Sequence, residues 1–375
     1  MRLIFATGAV SGSEISARLG IEKSTVTDLT KPLIKAGKIH ENVVGGDSGR
    51  KRRAFSLADN DGYFVGINLG VRQSQIGVTT FDGEIVDEDD FETSADVGTA
   101  LQILRERIDG IIAQNSDRTL NLIGVSVPGM VDAERLNLIS APNLGWKNVK
   151  IAEHLSVPGV PIVVENDSTA AAMYEARVKI GVAKEISAVD FLLVRSGTGI
   201  GVGLVSGGEV YRGSGPTGTL IGEFGHMTIV AGGKSCVCGN RGCWEKYASA
   251  ASAASLYLGD RPPARGESLP RFVEIVSKAE NGDNRSRRTL EKIGDYLGIG
   301  IANVIMGVGM PRVIVSGRLV LGWKFIKEPL YEAVEKSIVG RFGGWSVEPG
   351  EPTGSAIGGA LEVAIDEYLR TSAHQ

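Results

Sequence analysis

All three cysteines of this chain fall within eight residues, in the run Cys236-Val-Cys238-Gly-Asn-Arg-Gly-Cys243, and His226 precedes them by ten. This cluster constrains the fold more than any other feature, because residues 226–243 must close on themselves around whatever the thiols bind. An odd number of cysteines in one short loop cannot pair off completely as disulfides. Three thiolates and one imidazole match the four tetrahedral positions of a structural zinc ion, and Gly239 and Gly242 allow the backbone to turn tightly around it. Ligation by His226, Cys236, Cys238 and Cys243 leaves no position for water, so zinc is expected to hold a loop rather than to do chemistry. The competing reading is three reduced thiols in a surface loop. With no cysteine left over for disulfides, a reducing compartment, the cytoplasm, is expected.

At 375 residues the chain has room for more than one domain. No apolar run approaches the ~20 residues needed to span a bilayer, and the N-terminal stretch runs directly into a helical pattern, so neither a membrane partner nor a signal peptide is expected. The net charge of −4 hides an asymmetry. Residues 1–60 hold ten Lys/Arg against six Asp/Glu, a balance of +4, while the rest hold 30 against 38, a balance of −8. A small basic module joined to a larger acidic one points to a polyanion partner for the first alone.

That first module has the pattern of a winged helix-turn-helix. A short helix capped by Ser13 carries Ile15 and Leu19 on one face and stops at Gly20. A second starts near Lys23 with Val26, Leu29, Leu33 and Ile34 at helical spacing and closes at Gly37. Two short helices joined by a glycine turn form a helix-turn-helix. The outward face of the second offers Lys23, Ser24, Thr25, Thr27 and Lys31, donors and cations suited to base edges and phosphates. Pro32 is expected to bend this helix. A hairpin follows, with strand 38–44, a turn at 45–49, the basic run Arg50-Lys51-Arg52-Arg53 and a return over 54–57. A run of four cations is by itself commonly a solvated charge run; directly after a helix-turn-helix it reads as a wing lying along phosphates.

From Gly62 the pattern changes to strands, glycine turns and helices, the signature of an α/β domain. Strands are expected over 63–70 and 75–81, 122–129, 161–166, 191–205 as a pair, and 312–316. Helices are expected over 101–113, 168–178 and 284–306 and from Ala356 onward. The glycine-rich pair at 191–205 repeats the theme of 63–81, which suggests a duplicated strand–turn–strand unit. Two chemical sites stand out. Amides of the turn Ser196-Gly197-Thr198-Gly199-Ile200-Gly201 can wrap phosphate oxygens, although such hairpins are often only tight turns. Glu165-Asn166-Asp167 ends a strand directly before a helix. Asp167 there is either a proton acceptor for a hydroxyl or simply the helix cap.

These residues resemble the ROK (repressor, open reading frame, kinase) family over nearly the whole chain. The most specific element is Gly222-Glu-Phe-Gly-His226 followed by Cys236-x-Cys-Gly-x-x-Gly-Cys243-x-Glu245. Val127-Pro-Gly129, Pro142-Asn-Leu-Gly-Trp146, Glu165-Asn-Asp167 and Ser196-Gly-Thr-Gly-Ile-Gly201 also match. The resemblance implies an actin-like, hexokinase-like pair of α/β lobes with a cleft between them. It implies sugar contacts from Asn166, Asp167, Glu223, His226 and Glu245, a phosphate loop at Gly197, Thr198, Gly199 and Gly201, and zinc on His226 and the three cysteines. In a kinase member Asp167 would be the catalytic base. One departure matters. Where kinase members read Asp-x-Gly-Gly-Thr in the first strand turn, this chain reads Asn68-Leu-Gly70-Val71-Arg72, and a neutral amide does not replace a carboxylate in binding Mg²⁺. The later Gly-Gly-Gly reads Ser316-Gly317-Arg318, and the stretch from Gly213 to Gly222 is a few residues longer than usual.

The expected organisation is a winged helix-turn-helix over 1–60 and a ROK sugar-binding domain over 61–375, with lobes at roughly 61–183 and 184–375. The expected function is a sugar-responsive, DNA-binding transcriptional regulator, a repressor, with operator DNA and a sugar effector as partners, structural Zn²⁺, and a homodimeric or homotetrameric state. The alternatives are an ATP- and Mg²⁺-dependent, glucokinase-like sugar kinase with a DNA-binding head, and a zinc-stabilised sugar-binding protein whose head meets another protein.

Overall fold

The computed structural model describes residues 1–45, 51–58, 62–81, 83–213, 220–259, 261, 268–352 and 355–372. The chain opens with α1 (Arg2–Thr7), β1 (Val10–Ser11), α2 (Gly12–Leu19), α3 (Lys23–Lys35), β2 (Ile39–Gly45) and β3 (Lys51–Leu57). The strands form an antiparallel sheet in the order β1-β3-β2. Two details differ from the sequence expectation. Ser11, not Ser13, caps α2: its hydroxyl accepts from the Glu14 amide while the Glu14 carboxylate accepts from the Ser11 amide. The reason is that Val10–Ser11 is held against Phe55 and Ala54 of β3, so the strand runs straight into the helix. In α3 the buried positions are Val26 and Thr30, while Leu29 and Ile34 face solvent. Thr30 tolerates burial because its hydroxyl donates to the Val26 carbonyl. Pro32 lies within the helix, which runs on to Lys35.

The rest is two five-stranded sheets of matching topology. The first is built from β4 (Tyr63–Asn68), β5 (Gln73–Thr79), β6 (Ile85–Glu92), β7 (Leu120–Val127) and, after smaller elements, β11. Between β6 and β7 lies α4 (Val97–Gln114). Before β11 come the small sheet of β8 (Met130–Val131), β9 (Leu138–Ala141) and β10 (Trp146–Val149), then α5 (Ile151–His154). β11 (Ile162–Asn166) leads directly into α6 (Asp167–Val182). The second sheet holds β12 (Phe191–Ser196), β13 (Ile200–Ser206), β14 (Glu209–Val210), β15 and β16. Between β14 and β15 come α7 (Glu245–Ala248), α8 (Ser252–Leu258), α9 (Phe272–Glu280) and α10 (Asn284–Val308). Then follow β15 (Arg312–Gly317), α11 (Trp323–Glu335), α12 (Ile338–Phe342), β16 (Ser346–Pro349) and α13 (Ser355–Ser372).

Strand orders are β6-β5-β4-β7-β11 and β14-β13-β12-β15-β16. In each, an antiparallel hairpin (β4–β5, β12–β13) precedes two parallel additions. The repeat suspected from the two glycine-rich segments is therefore a repeat of the whole sheet. Helices α13 and α6 lie between the sheets, α13 on β4 and β7, α6 on β12 and β13, each against the other. Close seating is possible because glycine faces the helices: a Cβ on Gly66 would stand 2.7 Å from the Leu361 amide nitrogen, and one on Gly203 2.4 Å from the Ala172 Cβ. Although α13 comes last in the chain, it thus packs on the first sheet. Among the described residues no helix is long and apolar enough to cross a membrane.

Candidate functional site

The site forms where α6 begins. Asn166 is the N-cap of the helix. Its Oδ1 accepts from the amides of Ser168 at 2.9 Å and Thr169 at 3.1 Å, and its Nδ2 donates to the Gly129 carbonyl in the turn after β7. Because the asparagine satisfies the helix start, the carboxylate beside it is not needed as a cap. Asp167 instead pairs with Arg195 of β12, Nη1 to Oδ2 at 2.6 Å, so an ion pair joins the start of α6 to the second sheet.

Three further residues converge on this point. Glu223 lies in the 3₁₀ stretch Leu220–His226, its Oε2 3.4 Å from His226 Nε2. On the other side of the ring, His226 Nδ1 is 3.7 Å from Glu245 Oε1 and 3.6 Å from Cys236 Sγ. The imidazole therefore shows one nitrogen to Glu223 and the other to the cysteines, which is how a single histidine can belong to two sets of contacts. Burial first, then the nearby Asp167 and Glu245 carboxylates, push the Glu223 carboxyl up to about 7. Glu245 also touches the second hairpin, since a Cβ on Gly199 would stand 2.4 Å from its Oε2. All five residues expected at a sugar, Asn166, Asp167, Glu223, His226 and Glu245, are thus brought to one place, and the cluster is rich in acceptors suited to hydroxyl groups.

The donor atoms of His226, Cys236, Cys238 and Cys243 all lie within 4.8 Å of one another, a group that could hold a metal ion. The loop closes through backbone pairs Thr228↔Cys243 and Ser235↔Arg241. It needs glycine at 242, where φ is +79° and a Cβ would collide with the Val230 carbonyl. Cys243 is fully buried and Cys236 nearly so, and burial pushes both thiols up from their usual range. Groups held this way give up protons readily only to a coordinating cation. The donor set fits a soft or borderline metal.

The two glycine hairpins differ. At the first, Asn68 is buried, its Nδ2 donating to Gln75 Oε1 at 3.3 Å and its Oδ1 accepting from Ser126 Oγ at 3.1 Å. Its carboxamide is consumed inside the sheet. At the second, Gly197, Thr198 and Gly199 form the turn between β12 and β13, and Gly201 already lies in β13, opposite Arg195. Gly197 has open space where a Cβ would be, but a Cβ on Gly201 would strike Ser168 Oγ. In the N-terminal module Lys23, Ser24, Thr25, Thr27 and Lys31 are all exposed on α3, and Arg53 is exposed on β3. Of the remaining basic run, Arg50 and the side chains of Lys51 and Arg52 lie outside the described residues, as do Asp82 and residues 214–219 of the extended stretch.

Sequence reasoning missed Arg195, although the signal was present: a lone cation in the otherwise apolar run Phe-Leu-Leu-Val-Arg. It named Glu165 within the Glu165-Asn166-Asp167 motif but missed its partners: the fully buried carboxylate lies 2.7 Å from Arg212 Nε and 3.2 Å from Arg135 Nη2. That clamp fixes the chain just ahead of the stretch that carries Glu223.

Residues 64–366 match the ROK family. The chain belongs to it. This ROK protein is 28% identical over 377 residues to the xylose repressor of Bacillus subtilis (strain 168), with 98% of this chain and 94% of that protein covered. It is 27% identical to the glucokinase of Halalkalibacterium halodurans over 293 residues, 74% of this chain and 86% of that one. The family thus holds kinases as well as regulators. Among solved structures, a ROK family transcriptional regulator described as a homolog of the E. coli MLC protein shares the fold at a TM-score of 0.77 and 22% identity, covering 100% of this chain and 99% of that one.

Proposed function

We propose that this ROK protein is a sugar-responsive transcriptional regulator, a repressor, in which residues 1–60 are a winged helix-turn-helix and residues 61–375, in two lobes, bind the sugar. The observation that carries the reading is the contrast between an assembled hydroxyl-binding cluster and a first hairpin whose only amide at the kinase position, Asn68, is already spent on Gln75 and Ser126. Phosphoryl transfer rests on positioning and charge neutralisation, and this hairpin offers neither a carboxylate for Mg²⁺ nor an uncluttered turn. The likeness to a xylose repressor over nearly the full length of both proteins supports the same reading, as does a helical N-terminal module lying ahead of the family match.

In this reading the effector is a neutral sugar, with D-xylose the first candidate. Glu223, Glu245 and Asp167 accept from its hydroxyls, while Asn166 and His226 fix the two ends of the cluster. Structural zinc on His226, Cys236, Cys238 and Cys243 holds the loop that carries Glu245 and orients the imidazole. Lys23, Ser24, Thr25, Thr27 and Lys31 read operator DNA, with the run 50–53 on phosphates. The protein works in the cytoplasm as a symmetric oligomer whose two heads address two half-sites.

Two measurements test this. Calorimetric titration of the zinc-loaded protein with D-xylose, D-glucose and Mg·ATP should give heat with a sugar and none with nucleotide. Binding to duplexes enriched from a random pool should be specific, should weaken steeply with salt and should change with the sugar. Sugar-dependent ADP release, abolished in Asp167→Ala, would replace the regulator with the kinase.

A further inference from the structure

Helix α6 links the two modules. Its first residues, Asn166 and Asp167, belong to the cluster described above. Its last turn reaches the N-terminal module. The carbonyls of Ile180 and Gly181 belong to that turn, where intrahelical donors run out. Arg18, the penultimate residue of α2, donates from Nη1 to both, at 3.2 Å and 3.3 Å. A guanidinium there also meets the negative end of the helix dipole. Close packing surrounds this contact. A Cβ on Gly181 would stand 2.9 Å from the Ala6 carbonyl of α1. Leu3, Ile4 and Ile15 share one buried cluster with Ala172, Ala176 and Ile180 of α6.

The same stripe of α6 is seated on β13 nearer its start, where Gly203 lets Ala172 and the Ser168 carbonyl approach, and another face meets α13, where a Cβ on Gly359 would stand 2.8 Å from the Ala170 backbone. Sixteen residues make a rod of about 24 Å. A helix packed this closely along both faces does not bend to absorb a displacement; it passes it on, because packed interfaces switch between arrangements rather than deform continuously. A sugar hydroxyl entering the cluster would compete with Arg195 for Asp167 at one end. The other end is where Arg18 holds the module.

We infer that Arg18 is the positioning residue that couples sugar occupancy to DNA affinity, by clamping α2 to the C-terminal turn of α6. The inference rests on the regulatory reading above. Arg18 is not among the residues assigned to DNA or sugar, so its loss should uncouple the two bindings while leaving each in place. Thermodynamic coupling between two sites typically amounts to roughly 5–150-fold, and that is the quantity to be lost.

The test uses full-length, zinc-loaded protein, a duplex that the wild type enriches from a random pool, and D-xylose and D-glucose as sugars. DNA affinity is measured by anisotropy with and without each sugar, and sugar affinity by calorimetry without DNA. For the wild type a sugar-dependent change of at least about five-fold is expected. In Arg18→Leu the change should fall below about two-fold with sugar affinity unaltered, and Arg18→Lys should recover part of it. If Arg18→Leu does not melt cooperatively, Arg18→Gln is judged by the same criteria. Retention of the wild-type ratio in the variant overturns the inference. So does loss of the ratio together with sugar affinity, which would make Arg18 merely structural. If neither sugar changes the DNA affinity of the wild type, the regulatory reading fails and this one falls with it.

Discussion

The hairpins β4–β5 and β12–β13 occupy equivalent places in two sheets of the same topology, yet they keep different things. Both keep a glycine that lets a helix sit close, Gly66 on the first strand of its hairpin under α13 and Gly203 on the second strand of its own over α6. Only the second keeps a glycine turn in contact with the carboxylate and imidazole cluster, through Gly199 and Glu245. The first has Asn68 buried in a closed hydrogen-bond chain, with Val71 and Arg72 in the turn. The difference teaches that packing and phosphate chemistry are separable demands on one hairpin. Close helix seating is enforced by sterics, since any Cβ there must displace backbone. A metal-binding carboxylate is enforced only if the reaction is retained.

Five substitutions can break or sharpen that contrast. The largest effect is expected from Cys243→Ser, which removes a fully buried donor from the loop beside the second hairpin. Structural zinc contributes on the order of 10 kcal/mol to folding in small zinc modules. Metal analysis should then show loss of bound zinc, and D-xylose binding should weaken at least about ten-fold, because Glu245 and His226 lose their anchor. Unaltered sugar binding in a zinc-free variant would disconnect the loop from the second hairpin.

Next come Gly66→Ala and Gly203→Ala. Each overpacks a helix against a strand and should cost about 1–3 kcal/mol in denaturant unfolding. Comparable losses mean the two hairpins share one structural role; a neutral result at either position breaks the equivalence. Asn68→Asp should follow closely, at about 1–2 kcal/mol, since it buries a carboxylate where a neutral amide was satisfied. Melting with and without Mg·ATP decides its meaning: recovery of stability by Mg·ATP would show that the first hairpin is still a phosphate site one residue away from use. The smallest effect belongs to Gly197→Ala. With open space where its Cβ would go, stability should stay within about 0.5 kcal/mol of wild type, and any change in sugar binding would mark a ligand contact in the turn.

Much of the architecture could be read from residues because it follows periodicity. The strands at 63–79 and 191–206, the long helix from Asn284 and the helix closing the chain came directly from apolar spacing and glycine punctuation. The metal group could be read because ligand spacing within one loop is itself a local geometry. The helix caps were less legible. The spacing points to Ser13 as the cap of α2, but the pairing of β1 with β3 hands that place to Ser11, and Asp167 reads as a candidate cap of α6, but the Ser168 and Thr169 amides bond to Asn166 instead. The buried positions of α3 were misread for a related reason: Leu29 is exposed and Thr30 buried because a short helix presents only a narrow face to its neighbours.

By itself the sequence determined which elements form and which residue types carry the chemistry: thiols, an imidazole, carboxylates and an amide where a kinase would need an acid. These are properties of local spacing and side-chain identity. Only the tertiary structure decided which groups meet. Arg195 reaches Asp167 across 28 positions, Arg212 reaches Glu165 across 47, and Arg18 reaches Gly181 across 163. No periodicity encodes such pairs, because each depends on how two sheets and two helices stack. Their stacking follows from where glycine and alanine let backbone approach backbone, a condition satisfied only once both partners are folded.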